Sequence, residues 1–298
     1  MLSAVERKIK QFIDELNDKE VSTLYGSLPH GKRLRAKLIL KIAGNTLSAI
    51  KTASVVEMIH LASLLHDDVI DDAYTRRSKP SLNAVYGNKT AIMLGDIIYS
   101  KGFLELNKIS VEVAKLVSNS VVQLSIGELK DVSLSKKFNV NKTLYLEMIY
   151  QKTASLMEAS AGVGAYLANK EIKIYMTYGR NLGLAFQMID DILDIVSDEK
   201  TLGKPVLHDF EEGKTTLPYI YLYEVLDKDD RLKLKKLHQK RLLAHEKFWI
   251  KDMMKKHNII EKSYQEAKKL VEEAITLMTL KGEKDLTSIA LAMIEREF

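Results

Sequence analysis

The sequence predicts an all-α fold, on three observations. Only four prolines occur in 298 residues, and none lies between Pro80 and Pro205, so that interval has nothing to break long helices. Alternating β-branched runs bounded by turn residues, which would mark strands, are hard to find. Apolar residues instead recur at intervals of three and four. Ala53-Val56-Ile59-His60-Ser63-Leu64 and Val111-Ala114-Leu116-Val117-Val121-Leu124 each give a helix one apolar face.

Residues 2–16 form the first expected helix, charged from Glu6 onward and without the apolar run of a signal peptide. Further helices are expected over 31–48, 51–71, 89–107, 110–131, 142–168, 171–197, 215–227, 229–240 and 258–280, roughly ten to twelve in all. Turn residues separate them at Ser27-Leu28-Pro29, Arg77-Ser78-Lys79-Pro80 and Leu202-Gly203-Lys204-Pro205. No low-complexity linker or composition break divides the chain, so residues 1–298 are expected to form one domain.

Hydrophobic residues at 46% and charged residues at 29% are ordinary for a soluble globular protein able to bury a substantial core. Cysteine is absent, which excludes disulfides, zinc thiolates and cysteine nucleophiles and fits a reducing compartment. The longest stretch without Asp, Glu, Lys or Arg is Leu116 to Gly127. That is short of the about 20 residues a membrane span needs, so a cytoplasmic location without a transmembrane segment is expected. Net charge is +5, and residues 228–256 hold eleven Lys/Arg against four Asp/Glu. The ordinary reading of such a run is a solvated helix face; few aromatics interleave there, so no nucleic-acid partner is expected.

Two clusters carry the chemistry. His66-Asp67-Asp68-Val69-Ile70-Asp71-Asp72 and Gln187-Met188-Ile189-Asp190-Asp191-Ile192-Leu193-Asp194 both contain D-D-x-x-D after a long apolar helical pattern. Asp67 and Asp71, like Asp190 and Asp194, are four apart and stack on one helix face. Like charges so placed repel, and more strongly when sheltered, unless a cation fills the gap. Mg²⁺ suits them, because it takes hard oxygen ligands, keeps waters and binds through one or two carboxylates plus substrate phosphates. The loop pattern of an EF-hand is missing.

Basic residues follow each cluster or precede it. Gly31-Lys32-Arg33-Leu34-Arg35 opens a helix, where free amides and Lys/Arg suit an anion. Arg76-Arg77 come just after the first cluster, Lys152-Thr153 lie within a helix, and Gly203-Lys204-Pro205 and Gly213-Lys214-Thr215-Thr216 follow the second. Arginine forks and lysine charges match phosphate oxygens. His60 lies two turns below Asp67 on the same stripe. No Ser-His-Asp arrangement, nucleophile elbow, Walker loop or dinucleotide fingerprint is present.

The run from Glu57 to Asp71 with Arg76-Arg77 resembles the first aspartate-rich region of trans-type polyprenyl diphosphate synthases, and Gly183 to Asp194 resembles the second. Gly31-Lys32-Arg33-Leu34-Arg35, Lys152-Thr153 and Gly213-Lys214-Thr215-Thr216-Leu217-Pro218 match in order, so the likeness runs from about residue 28 to 220. It is nearest to the long-chain, octaprenyl-type members. The resemblance implies an orthogonal helical bundle around a deep central cavity, usually a homodimer. It implies that Asp67, Asp68, Asp71, Asp190, Asp191 and Asp194 bind Mg²⁺, three ions per active site with Mn²⁺ able to substitute. Arg76, Lys152, Thr153, Gln187, Lys204 and Lys214 would hold the allylic diphosphate, and Lys32, Arg35, His60 and Arg77 the isopentenyl diphosphate, with Arg33 nearby. Lys152 counts with the aspartates as catalytic. The leaving diphosphate would take the proton, so no protein base is needed. His30, Ala36, Glu128, Leu207 and His208 depart from the family's usual residues, and none of these removes a metal ligand.

Bulky residues a turn before the first cluster stop elongation early in this family. Here those chain-length positions are Ala62 and Ser63, which predicts a long product, octaprenyl best, from a farnesyl or geranylgeranyl primer, for quinone side chains. A transient membrane contact would serve release of such a product. The alternatives are a short-chain synthase, a terpene cyclase or head-to-head condensing enzyme, a non-catalytic subunit of a heteromeric synthase, and a helical scaffold. The intact second D-D-x-x-D and Gly31-Lys32-Arg33 argue against the cyclase and the condensing enzyme. Retention of both clusters argues against the non-catalytic subunit.

Overall fold

The computed structural model describes residues 1–29, 31–77, 79–197 and 206–294, the last two as backbone. The chain divides into two compact units, Met1–Val121 with Ala159–Met176, and Val122–Glu158 with Thr177–Phe298. The described residues are predominantly helical, as the proline spacing and the apolar periodicity require. The one ladder among them pairs β1 (Thr75–Arg76) with β2 (Lys79–Pro80) antiparallel, Arg76 opposite Lys79.

The first unit is built on α4 (Leu47–Ile70), which packs against α1 (Leu2–Asp14), α3 (Leu34–Ala43) and α6 (Asn88–Leu106). Side chains that start helices are visible here. Asp18 accepts from the Val21 amide at 2.9 Å to open α2 (Lys19–Ser27), and Thr46 accepts from Ala49 at 3.1 Å to open α4. Such caps contribute about 1 kcal/mol each. Ala49, Ala53, Val55, Val56, Met58, Ile59 and Ala62 of α4 are wholly buried, and a large buried aliphatic side chain contributes about 1.5–3 kcal/mol. By length and composition α4 could cross a membrane, with a mean hydropathy of 1.2, yet 56% of that window is buried within the protein. It is the core helix of this unit. Its buried Glu57 is matched by the Ala36 amide at 2.9 Å and Arg33 at 3.5 Å.

The second unit contains most of α7 (Val111–Leu134) and α10 (Ile172–Val196), and α8 (Lys142–Ile149), which a π turn at Tyr150–Ala154 joins to α9 (Ser155–Leu167). It also contains α11 (His208–Glu211), α12 (Leu217–Val225), α13 (Lys228–Leu237), α14 (Ala244–Lys256), α15 (Ile259–Leu280) and α16 (Lys284–Ile294). Helix α12 is apolar along its length and packs against α8, α14 and α15. Phe210 stacks on Tyr219 with ring centres 4.3 Å apart.

The helix expected over 31–48 is narrower, because Gly44 at φ 74° ends α3 at Ala43, whereas the one expected over 51–71 starts earlier, at Leu47, where Thr46 caps α4. The helix expected over 142–168 is interrupted by the π turn. Helices α2, α11, α14 and α16 went unforeseen, as did a short helix at Leu82–Tyr86. Helix α14 has Leu243 where a capping side chain would stand, and Glu246 instead accepts from the Leu243 amide at 2.7 Å.

Gly183 lets α10 approach the π turn. A Cβ there would lie 2.5 Å from Ala154 Cα and 2.8 Å from its Cβ. Gly183→Ala is therefore expected to destabilise the protein by about 1–3 kcal/mol through overpacking, read as a lower urea midpoint at unchanged slope.

Candidate active site

In the first unit, α4 delivers Asp67 and Asp68 in its last turn and Asp71 at its C-cap, where no basic residue offsets them. A helix C-terminus carries partial negative charge, so this is the unfavourable end for carboxylates. Arg76 of β1 reaches back to the cluster, with Nε 2.6 Å from Asp68 Oδ1 and Nη2 3.4 Å from Asp67 Oδ2. Burial raises the Asp68 pKa, Arg76 opposes that rise, and Asp67 and Asp71 add to it. Asn83 of α5 (Leu82–Tyr86) donates to the Asp68 and Ala73 carbonyls, both at 3.1 Å, which anchors the loop that presents Arg76 and Arg77.

The same unit gathers cations around His60. Arg77, at φ 54°, donates to the Pro29 carbonyl at 3.3 Å and lies against Gly31, where a Cβ would stand 2.9 Å from its guanidinium nitrogens. Arg35 has a buried Nε with no hydrogen-bond partner among the described residues. Burial pushes the His60 pKa well down, and Arg35, Arg77, Arg76 and Arg33 push it further, so His60 is neutral at pH 7. Lys32 is exposed. Arg33 serves the fold instead. Its fork holds Glu6 at 2.6 and 3.1 Å and, at φ 52°, it turns the chain into α3. Cations crowded about one neutral imidazole call for an anion with oxygens on several sides.

In the second unit, α10 places Asp190, Asp191 and Asp194 in its last two turns, again with no basic residue in the last turn. The Tyr145 hydroxyl donates to Asp191 Oδ2 at 2.6 Å, Gln187 Nε2 donates to Asp191 Oδ1 at 2.9 Å, and Thr153 donates to Gln187 Oε1 at 2.8 Å. Burial raises the Asp191 pKa strongly, with Asp209 and Asp190 adding to it against the donors. Asp194 Oδ2 accepts from the Asp209 amide at 3.2 Å.

Lys152 and Thr153 sit in the π turn. Such bulges re-aim side chains and recur at functional sites. Gly127 makes room for it: a Cβ would meet the Lys152 amide nitrogen at 2.2 Å. Lys152 Nζ lies 2.7 Å from Asp131 and 3.0 Å from Glu128, so Glu128 supplies a carboxylate to this lysine. Lys214 lies 2.9 Å from Glu212, after Gly213 at φ 92°, where a Cβ would clash with the Ser135 carbonyl at 2.5 Å. Lys214 and Tyr145 both line a small cavity of about 20 Å³. A larger cavity of about 560 Å³ has Leu146, Tyr150, Arg180, Leu184, Met188 and Leu270 in its wall and none of the expected site residues. Lys204 lies outside the described residues. Ala62 is wholly buried, and Ser63 is half-buried with its hydroxyl on the His60 carbonyl at 2.8 Å.

Among the described residues no three His, Asp or Glu side chains converge as a ready-made metal centre. Mg²⁺ asks for less, one or two carboxylates with waters and phosphates completing its shell, and the buried, mutually repelling aspartates fit that donor set. Tyr145, Glu128 and Asp131 are the site residues that sequence reasoning missed. Gly127-Glu128 was a visible signal for one of them, and nothing local pointed to Tyr145.

A model of the polyprenyl synthetase family matches residues 19–256. A short chain isoprenyl diphosphate synthase of Methanocaldococcus jannaschii is 35% identical over 252 residues, 78% of this chain and 75% of the relative. The crystal structure of octaprenyl pyrophosphate synthase from Helicobacter pylori superposes with a TM-score of 0.94 at 41% identity, covering 99% of this chain and 98% of that one. The polyprenyl synthase from Caulobacter crescentus, complexed with calcium and isoprenyl diphosphate, gives 0.89 at 25% identity over 100% and 95%.

Tyr145→Phe removes the buried donor to Asp191. It is expected to cost about 1–3 kcal/mol of stability, measured by urea unfolding, and to lower turnover.

Proposed function

The chain belongs to the polyprenyl synthetase family and is a prenyltransferase of the trans-prenyl diphosphate synthase type, and on that footing we propose that it makes a long-chain polyprenyl diphosphate with Mg²⁺. Octaprenyl is the preferred product, built from isopentenyl diphosphate on a farnesyl or geranylgeranyl primer, to become a quinone side chain. The observation that carries the metal-dependent reading is the placing of both acidic clusters at helix C-termini without a basic residue in the last turn. Six aspartates set where the helix end already repels them make sense as cation ligands.

Asp67, Asp68, Asp71, Asp190, Asp191 and Asp194 hold Mg²⁺ in this reading, three ions in all with Mn²⁺ as a substitute. Bound Mg²⁺ supplies positive charge to a departing diphosphate. Arg76, Lys152, Thr153, Gln187, Lys204 and Lys214 bind the allylic diphosphate, and Lys32, Arg35, His60 and Arg77 bind the isopentenyl diphosphate. Lysine and arginine set in advance around those oxygens stabilise charge as it forms when the allylic C–O bond breaks. The isopentenyl double bond attacks the cation, and the released diphosphate takes the proton. Neutral His60 can donate to a phosphate oxygen without adding another buried charge to the arginines around it. Both motif sets serve one reaction, so the reading treats 1–298 as a single synthase domain; the family match across 19–256 supports this.

A homodimer is supported by the exposed stripe Val122, Ile126, Leu129 and Val132 along α7, spaced as one helix face. The long product is supported by the 41% identity to the octaprenyl synthase structure and by the small, half-buried Ser63. A short-chain product is the second reading, favoured by the relative of that name.

Incubation with farnesyl diphosphate, labelled isopentenyl diphosphate and Mg²⁺, followed by sizing of the products, tests the proposal. Chains of about eight units support it, arrest at four favours the short-chain reading, and no extension from any primer rejects both. Asp67→Asn or Asp190→Asn should lower kcat by at least about 10²-fold, and chelation of the metal should abolish turnover. Ser63→Tyr should shorten the product. Ala62→Tyr should as well, though at a wholly buried position it also overpacks the core. Unchanged length in both would sink the idea that these positions gate elongation.

A further inference from the structure

Helices α13 and α14 carry a charge that the proposed chemistry does not use. Residues 228–256 hold eleven Lys/Arg against four Asp/Glu, a net +7, while the rest of the chain holds thirty-four against thirty-six. The whole positive excess of the protein therefore lies in this one segment. Leu234 and Leu237 of α13 and Ile250 and Met254 of α14 are buried, so each helix turns its other face outward.

On those outward faces apolar side chains stand among the cations. Phe248 is 72% exposed, Leu243 59% and Leu232 50%. Ala244, Phe248 and Lys255 share one stripe of α14, at i, i+4 and i+11, and Lys228, Leu232 and Lys236 one stripe of α13, at i, i+4 and i+8. Lys233 reaches from α13 over the Trp249 ring, 3.9 Å from its centre, which joins the two helices into one surface. Lys228, Lys236, Lys240, Arg241, Lys255 and Lys256 make no ion pair among the described residues. Their charge is not consumed by the fold.

We propose that the α13–α14 surface docks the protein on an anionic lipid bilayer, with Phe248 and Leu243 entering the headgroup layer and the surrounding lysines facing lipid phosphates. Basic residues flanking exposed aromatic and aliphatic side chains are the composition of an interfacial anchor. Nucleic acid is the weaker fit. The Trp249 face that could stack on a base is already covered by Lys233, and protruding Phe248 and Leu243 find no partner along a phosphate backbone. A merely solvated face accounts for the lysines but leaves three large apolar side chains exposed beside them.

Trp249 is the only tryptophan in the chain, which makes it a built-in reporter. The full chain is mixed with vesicles of equimolar phosphatidylglycerol and phosphatidylcholine, and with vesicles of phosphatidylcholine alone. Sedimentation with the anionic vesicles should be roughly tenfold greater and should fall as salt is raised. Trp249 emission should shift to the blue and be quenched by brominated acyl chains. Phe248→Asp, and separately the pair Lys236→Glu with Lys240→Glu, should each lower anionic-vesicle binding by roughly tenfold. All three positions are exposed, and circular dichroism checks that the variants remain folded. Equal binding to both vesicle types, an unshifted Trp249 spectrum, or variants that bind like the parent would overturn the proposal. Salt-sensitive binding to duplex DNA with none to vesicles would replace it with a nucleic-acid surface.

Discussion

Carboxylates at the wrong end of a helix are the constraint on which the rest depends. The last carbonyls of α4 and α10 already carry partial negative charge, and each helix adds three aspartates there with no lysine or arginine in the turn. Neighbouring groups share the burden differently in the two units. Arg76 partly neutralises Asp67 and Asp68. Around Asp191 the donors are neutral, Tyr145 and Gln187, and the carboxylate is buried beside Asp209 and Asp190. Neutral donors orient a carboxylate and leave its charge for something else to balance.

The basic residues show the complementary arrangement. Arg33 is tied to Glu6 and Glu57 and serves the fold, and Arg76 to Asp67 and Asp68, whereas Arg35 and Arg77 beside His60 make no ion pair among the described residues. A buried charge without a counter-charge is costly, and the cost is tolerated where a ligand of opposite sign is to bind. Lys152 is the intermediate case. Glu128 and Asp131 hold its ammonium, and Gly127 and Gly183 admit the backbone of the π turn that carries it. Positioning in this second unit thus rests on small residues as much as on charged ones, because about 1 Å of displacement is enough to spoil a reacting geometry.

Much of this was legible in the sequence where the determinant is local. Helical class followed from proline spacing and periodicity. Each aspartate cluster followed from an i, i+4 repeat that a helix keeps whatever it packs against. The π turn was not legible, since five residues of altered hydrogen bonding leave no mark in the periodicity. Nor was Tyr145, which meets Asp191 across 46 positions, nor the pairing of Arg33 with Glu6 across 27. Helix α14 was missed because its first turn is closed by Glu246 on a leucine rather than by a capping hydroxyl or carboxamide.

The amino-acid order alone therefore determined the helical class, the two aspartate clusters and the family resemblance, all of which depend on neighbours within one or two turns. Tertiary structure decided which cations are spent on the fold and which remain for a ligand, which carboxylate is buried beside a tyrosine, and which lysines surround exposed Phe248. Those outcomes depend on burial and on partners far apart in the chain, and a side chain's charge has no fixed meaning until the fold sets what surrounds it.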